Sequence, residues 1–435
     1  MKKTKFKSHS LTVTVDALGA RGDGLAVHNG TPLYIPFTAP GDQVAVTTEA
    51  ARGDGLACRL DRITRAGPHR ADPLCPHFGS CGGCAVQHLA PDFYDAWKTG
   101  LVREALQKRG FEIGLGPLRK TPVPSRRRAT LAARRIAKGV ILGFNARASH
   151  QIMDVDHCPL LVAPLNRVLA PLRQILALLL APGASADIAV TAVGKTVDMV
   201  LTLPKGPDLA GREALSRFAE EAQIARLTWR HKPEDAPELL AQRAPVLADF
   251  GGAGVPLPPG GFLQPSAEGA AILTDLVCDA LAGRQRIADF HAGSGTFALA
   301  LLAKEDTRRV TAYEGDAGAI ATLQAAARDP GRAGRLTVLK RDLTRQPPTP
   351  ADLAGLDGLV FDPPRAGAKV LAEAIAASQV PVVVGVSCNP ATFVRDARLL
   401  ADGGYHLDKV TPVDQFPFAA HVELVAVFKR PSASP

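Results

Sequence analysis

Cys388 and Glu423 have the types and settings for covalent chemistry. Cys388 follows the apolar run Val382–Val386 and Ser387, read as a strand end, and precedes Asn389-Pro390, read as a helix start. A helix N-terminus favours a thiolate, so Cys388 reads as a nucleophile, whereas Cys58 and Cys278 read as small core residues. Glu423 lies in the apolar run Val422-Glu423-Leu424-Val425. A carboxylate there is costly without a partner or a task, and the alternative is an edge-strand residue facing water. A thiol nucleophile with a carboxylate base suits addition to a ring carbon followed by proton removal from its neighbour.

A second group of residues points to the other reactant. Asp289-Phe290-His291-Ala292-Gly293-Ser294-Gly295-Thr296 follows a strand and opens a helix, and its glycines allow a sharp bend and close approach of a ligand. Glu314 ends the next strand, 19 residues after Gly295, where a carboxylate can bind ribose hydroxyls. Asp342 and Asp362 end the third and fourth strands. One such acid could be a helix cap by chance; four in register line a ligand crevice. The loop lacks the third glycine of a pyrophosphate site, so a ligand with ribose and adenine but no phosphate fits better, namely S-adenosylmethionine. With a methyl donor, the cysteine–glutamate pair suits methylation at C5 of uracil. Thiolate addition at C6 makes C5 nucleophilic, and a base then removes the C5 proton. Asp362-Pro363-Pro364-Arg365 would shape the base pocket, with Arg365 near RNA and the target base unstacked to reach it.

Two further clusters stand apart. Cys75, Cys81 and Cys84, with Cys158 downstream, give four candidate thiolate ligands, favouring a [4Fe–4S] cluster modestly over zinc. Residues 98–138 hold twelve Lys and Arg against Glu104 and Glu112, among them Arg126, Arg127, Arg128, Arg134 and Arg135. A basic block of this kind is the footprint of a polyanion and reads as an RNA track; the alternative is a solvated helix face.

The elements that must hold these residues follow from composition and pattern. The chain has 435 residues, a net charge of +9, 40 Gly and 35 Pro, which suits two or three domains of α/β type. The longest uncharged stretch, between Glu373 and Arg395, is broken by Gln379, Pro381, Asn389 and Pro390, which excludes a spanning helix. The basic residues 1–7 have no apolar core behind them and read as a tail rather than a signal peptide, and seven cysteines without an export signal point to the cytosol. Residues 1–65 read as five short strands in a small barrel, 66–265 as a central α+β domain, and 266–435 as strands alternating with helices around a parallel sheet. The last strand, 421–428, is expected at or near the edge of that sheet.

Together these residues resemble the RNA uracil-5-methyltransferase family over nearly the whole chain. The motifs are the Gly-Asp-Gly-Leu-Ala-Val and Tyr34-Ile35-Pro36-Phe37 runs of a TRAM-like barrel, Cys75-x5-Cys81-Gly-Gly-Cys84 with Cys158, Phe262-Leu263-Gln264, Asp289–Phe297, Asp362-Pro-Pro-Arg, Ser387-Cys388-Asn389-Pro390 and His421-Val422-Glu423. The resemblance implies a class I methyltransferase Rossmann-like sheet with an N-terminal TRAM/OB-like barrel and a central iron–sulfur domain. It implies S-adenosylmethionine at Gln264, His291, Gly293, Gly295, Thr296, Glu314, Asp342 and Asp362, nucleophile Cys388, base Glu423 and a [4Fe–4S] cluster. The likeness is greatest to the branch that makes 5-methyluridine in 23S ribosomal RNA, acting as a monomer on RNA rather than DNA, away from the membrane. The chain departs from the family's usual residues at His291-Ala292, Thr296 and Ser266. Transfer RNA as substrate, or a non-catalytic RNA-binding iron–sulfur protein, are the alternatives.

Overall fold

The computed structural model describes residues 8–431; the basic stretch 1–7, read as a tail, lies outside them. Two compact units emerge among the described residues, one of 8–101, 145–151 and 416–421, the other of 102–144, 152–415 and 422–431.

In the first unit, residues 10–65 form one six-stranded sheet. Its order is Ser10–Thr14, Gln43–Arg52, Gly55–Arg65, Thr31–Pro36, Asp23–His28 and Ala17–Leu18. Alternation with period two turns Val13, Leu33, Ile35, Val44 and Val46 inward around Cys58. The sixth strand, Ala17–Leu18, is two residues long, too short to show a periodicity. A second small core of Ala39, Val86, Leu89, Tyr94 and Trp97 attaches the helical segment that follows. Lys98, counted in the basic block, is fully buried in this unit and donates to the carbonyls of Phe416 and His421.

The second unit holds two large sheets. The first has seven strands in the order Ile152–Asp154, Gly139–Asn145, Arg128–Ile136, Ser185–Val193, Thr196–Thr202, Ile224–Arg230 and Glu238–Gln242. The helices Leu169–Leu179 and Leu209–Glu221 share its core.

The other sheet has eight strands in the order Leu336–Lys340, Arg309–Glu314, Arg286–Phe290, Gly358–Phe361, Val382–Ser387, Glu423–Lys429, His406–Asp414 and Arg119–Lys120. The first five are parallel to one another. The central three, Arg286–Phe290, Gly358–Phe361 and Val382–Ser387, are buried along nearly their whole length, as strands covered on both faces are. Strand order reverses between Arg286–Phe290 and Gly358–Phe361, and a crevice outside the strand C-termini at such a point is where open α/β sheets bind ligands.

The last strand lies near one end of this sheet, as expected, though not at the edge itself. The strand Glu423–Lys429 is interior, antiparallel, and hydrogen-bonded on both sides, to Val382–Ser387 and to His406–Asp414. Its partner His406–Asp414 ends on the buried run Val410–Val413. Covering both faces and both edges buries nearly the whole strand, which its unbroken apolar run Leu424–Phe428 tolerates. Among the described residues, no helix is long and apolar enough to cross a membrane.

Candidate active site

The crevice is assembled from strand ends. The register pairs Ser387 with Leu424 across antiparallel strands, so Cys388 and Glu423, one step further, stand at the same level. Asn389 caps the following helix Pro390–Asp402 by accepting from Ala391 N, and its amide nitrogen donates to Arg365 O. The nucleophile candidate is thereby tied to the Asp362–Arg365 segment.

Electrostatics differ from the expectation for Cys388. Its thiol is pushed up from the ordinary value, chiefly by burial, then by Glu423 and Asp362; Arg365 opposes them by charge and by a hydrogen bond. Loss of hydration is the main cause, and the two acids beside the sulfur add to it. Both acids are themselves raised. Burial pushes Asp362 up, against a hydrogen bond from Gln264. Burial pushes Glu423 up as well, the neighbouring Asp362 adds to it, and a hydrogen bond from Gln415 opposes it.

Gln264 joins this group from another element. Its Nε2 donates to Asp362 Oδ2 at 3.3 Å, and its Oε1 accepts from Gln415 Nε2 at 2.9 Å. The backbone beside it is braced by the arginine run: Arg128 Nη1 donates to Leu263 O and Arg127 Nε to Gln264 O. Burial pulls both guanidinium values down. The expected RNA-facing arginines therefore divide. Arg126, Arg127 and Arg128 are partly buried and bonded to main-chain carbonyls, whereas Arg134 and Arg365 are exposed and Arg135 is intermediate. Arg128 also lies over the ring of Phe262, 4.7 Å from its centre, although that ring is 59% exposed. Ser266 caps the helix Ala267–Ala280 by accepting from Gly269 N at 2.7 Å, a role that suits serine at this position.

The glycine loop presents a second face of the crevice. His291 and Gly293 have left-handed backbones, and a Cβ on Gly293 would meet nothing within 4 Å, so a ligand can approach there. Gly295 is also left-handed, at φ 108°, and caps the helix Thr296–Lys304. Burial pulls the His291 imidazole down, favouring its neutral form. Glu314 accepts from Gly293 N, Gly315 N and Asp316 N, which orients its carboxylate across the loop. A carboxylate has about four acceptor positions, so one is left for a ligand hydroxyl. Asp342 lies just beyond the third strand, is exposed, and accepts from Thr344 N and Arg345 N. Asp289 is fully buried and raised well above the carboxylate range by burial. Its Oδ2 accepts from Ala298 N, and its Oδ1 has no partner in the protein. The open glycine, the oriented Glu314 and this buried acid fit the amino-acid and ribose ends of S-adenosylmethionine.

The cysteines give a different result. Cys75, Cys81, Cys84 and Cys158 are all partly exposed and none is in a disulfide. Cys75 N donates to Gln87, Gly83 N to Cys81 Sγ, and Cys158 N to Asn166. Among the described residues, however, no group of three or more His, Cys, Asp or Glu side chains is gathered as a metal site. Cys75, Cys81 and Cys84 belong to the first unit and Cys158 to the second.

Gln415 is a site residue that the sequence did not reveal. Its only signal is a polar pair, Asp414-Gln415, closing the apolar run before Phe416.

No protein-family model matches the chain. It is 39% identical over 419 residues to an uncharacterised RNA methyltransferase of Brucella suis biovar 1, spanning 96% of this chain and 97% of that protein. It is 32% identical over 434 residues to the 23S rRNA (uracil(1939)-C(5))-methyltransferase of Chromohalobacter salexigens, spanning 96% and 89%. Among solved structures, the tRNA (uracil-54, C5)-methyltransferase of Pyrococcus abyssi, in complex with S-adenosyl-L-homocysteine, superposes with a TM-score of 0.74 over 96% of this chain and 100% of that one. Its 22% identity makes that a likeness of fold.

Proposed function

The chain belongs to the RNA methyltransferases, and from that premise we propose that it transfers a methyl group from S-adenosylmethionine to C5 of a uridine in 23S ribosomal RNA. The observation that carries this reading is the opposition of Cys388 and Glu423 across paired strands, beside Asp362, in the crevice of the sheet. Ribosomal RNA is preferred to transfer RNA because the similarity to the 23S enzyme is one of sequence, at 32% identity, whereas the likeness to the transfer-RNA enzyme is one of fold.

S-adenosylmethionine, when bound, supplies an electrophilic methyl on a sulfonium. Glu314 would take its ribose, Gly293, Gly295, His291 and Thr296 would line its amino-acid end, and Asp342 would face its adenine, with Gln264 and Asp362 at the boundary with the target base. The sulfur of Cys388 adds to C6 of the uracil, its proton passing to a neighbouring carboxylate, and the ring becomes an enolate with its electron density at C5. C5 would take the methyl group as the sulfonium's S–CH3 bond breaks and leaves the neutral thioether. Glu423 then removes the C5 proton, the enolate re-forms, and the C6–S bond breaks to release the product. Arg365 donates to Cys388 and favours its thiolate, against the two acids. Resting as a neutral thiol, Cys388 is protected from oxidation until substrate arrives.

The six-stranded sheet supports reading 1–65 as a TRAM-like RNA-binding barrel, with 66–265 central and 266–435 catalytic. A monomer in the cytosol is part of the same reading. A [4Fe–4S] cluster on the four cysteines rests on their spacing and on the family resemblance; anaerobic iron and sulfide analysis tests it, and no step of the reaction runs through it.

The test of the reaction uses RNA containing 5-fluorouridine, whose fluorine cannot leave as a proton does. Wild-type protein with S-adenosylmethionine should form an adduct that survives denaturation, and Cys388→Ala should form none. An adduct that persists in the variant removes Cys388 as nucleophile. Loss of one 5-methyluridine from ribosomal RNA in cells lacking the gene would name the target; loss from transfer RNA would move the substrate there.

A further inference from the structure

The outer face of the six-stranded sheet carries a hollow of about 460 Å³. Leu25 and Tyr34 stand directly opposite each other on the paired strands Asp23–His28 and Thr31–Pro36. Their side chains therefore share a face, and both line the hollow as its floor. Their chain neighbours Ala26, Leu33 and Ile35 point the other way, into the core. The rim comes from Gly19–Arg21 and from Arg52 and Gly53. It is held in place from within the same unit. Gly19 O accepts from Trp97 Nε1 at 3.3 Å. Asp23, 2% exposed, accepts from Arg52 Nη1 at 2.7 Å and from Arg147 through its other oxygen, so one buried acid fixes two guanidiniums. The Arg52 guanidinium lies over the Tyr34 ring, 4.5 Å from its centre, and the Tyr34 hydroxyl donates to Asp54 Oδ1 at 2.8 Å. Arg21 is exposed. Gly53 is left-handed, and a Cβ there would meet nothing within 4 Å, which leaves the approach open.

We propose that this hollow binds one unpaired nucleotide of the RNA substrate, other than the target uridine. Its base lies on the apolar floor against the Arg52–Tyr34 stack, and its phosphate meets Arg21. A fixed guanidinium plane, an aromatic ring and an apolar floor suit a flat base. An exposed arginine at the rim suits a phosphate. The acids nearby are already engaged, Asp23 by two arginines and Asp54 by the Tyr34 hydroxyl. The hollow is of the size that takes a small ligand. Stacking uses the face of a base and not its edge, so any of the four bases fits. The proposal rests on residues 1–65 being an RNA-binding barrel, and not on the roles of Cys388 and Glu423.

The probe is oligoadenylate of about 12 nucleotides, a length one oligonucleotide-binding barrel can cover. It has no uracil to enter the crevice. Its binding to full-length protein is measured from low to high salt, and ultraviolet crosslinking maps the contact. Wild-type protein should yield a crosslinked peptide that contains Tyr34. Tyr34→Leu keeps the floor apolar and removes the ring. It should weaken binding about 5- to 150-fold at an unchanged salt slope, the loss expected for one stacked base. Arg21→Ala should lower the salt slope by about 0.7, the share of one phosphate on a single strand. Arg21 is exposed and outside the packed sheet, so this variant decides the matter even if Tyr34→Leu fails to fold. Unchanged affinity in a folded Tyr34→Leu, an unchanged slope in Arg21→Ala, or crosslinks confined to other peptides overturns the proposal. AMP bound through Tyr34 as tightly as the oligomer would make the hollow a small-molecule site and overturn it too. If 5-fluorouridine RNA traps no adduct while oligoadenylate still binds through Tyr34 and Arg21, the proposed reaction falls and the hollow stands. The reverse result removes the hollow alone.

Discussion

At the scale of single residues, the site is a problem of three acidic hydrogens in one buried place. Cys388, Asp362 and Glu423 each raise the others' values or are raised by them, with burial the largest cause for every one. A base must be ionised to work, so the acidic limb of activity should lie well above the ordinary carboxylate range of about 4. A bell or step centred near 4 in the pH profile of kcat would contradict that. Glu423→Gln keeps the shape of the side chain and removes the base. It should leave addition and methyl transfer intact and slow release about 10²- to 10⁴-fold, so that ordinary uridine RNA accumulates as a covalent complex on a denaturing gel. Rapid turnover by this variant would transfer the base role elsewhere. The chemistry-bearing types at this scale were legible in the sequence, because a cysteine at a strand end and a glutamate inside an apolar run are both unusual. Their protonation was not, since it depends on which strands lie side by side.

At the scale of elements, two features decide the site. The strand Glu423–Lys429 sits between two others, near one end of the sheet. Its apolar run suits either place, and only the hydrogen-bonded register with Ser387 fixes the interior one. The second feature is the arginine run. A cluster of Arg126, Arg127 and Arg128 reads from sequence as a patch for RNA, since composition carries no information about direction. In the fold, Arg127 and Arg128 hold the carbonyls of Gln264 and Leu263. Replacing both by Ala should therefore raise the KM for S-adenosylmethionine and lower stability by about 1–3 kcal/mol per lost charged hydrogen bond. The salt dependence of RNA binding should stay nearly constant. Arg134→Ala, at an exposed position, should instead reduce the salt slope by about 1. Binding measured from low to high salt separates the two, and a salt slope that drops with the Arg127 and Arg128 pair would restore them to the RNA track. The parallel strands and glycine loop were legible because their apolar runs and turn residues are local signals. The amide pair of Gln264 and Gln415 was not, because its partners are 151 residues apart in the chain.

At the scale of the whole molecule, burying acids sets how stability depends on pH. Asp289, Asp362 and Glu423 are all raised above their unfolded values. The sign follows: their contribution to folding is fully present below the unfolded value of about 4 and is lost as pH rises through the folded values. Denaturant midpoints should therefore fall between about pH 5 and pH 9, and Asp289→Asn, which removes one of the three groups, should show a shallower fall. An identical slope in that variant would mean Asp289 does not titrate in this way. The interior position of Glu423–Lys429 has a further consequence, in the order of synthesis. While the chain is being made, the parallel strands and Cys388 leave the ribosome before the strand that completes the sheet. Until residue 429 has emerged, Val382–Ser387 presents an unpaired, largely apolar edge of the kind that recruits stray strands or chaperones. The base arrives with the strand that covers this edge, so a nascent chain has no complete catalytic pair until its most aggregation-prone edge has been sealed.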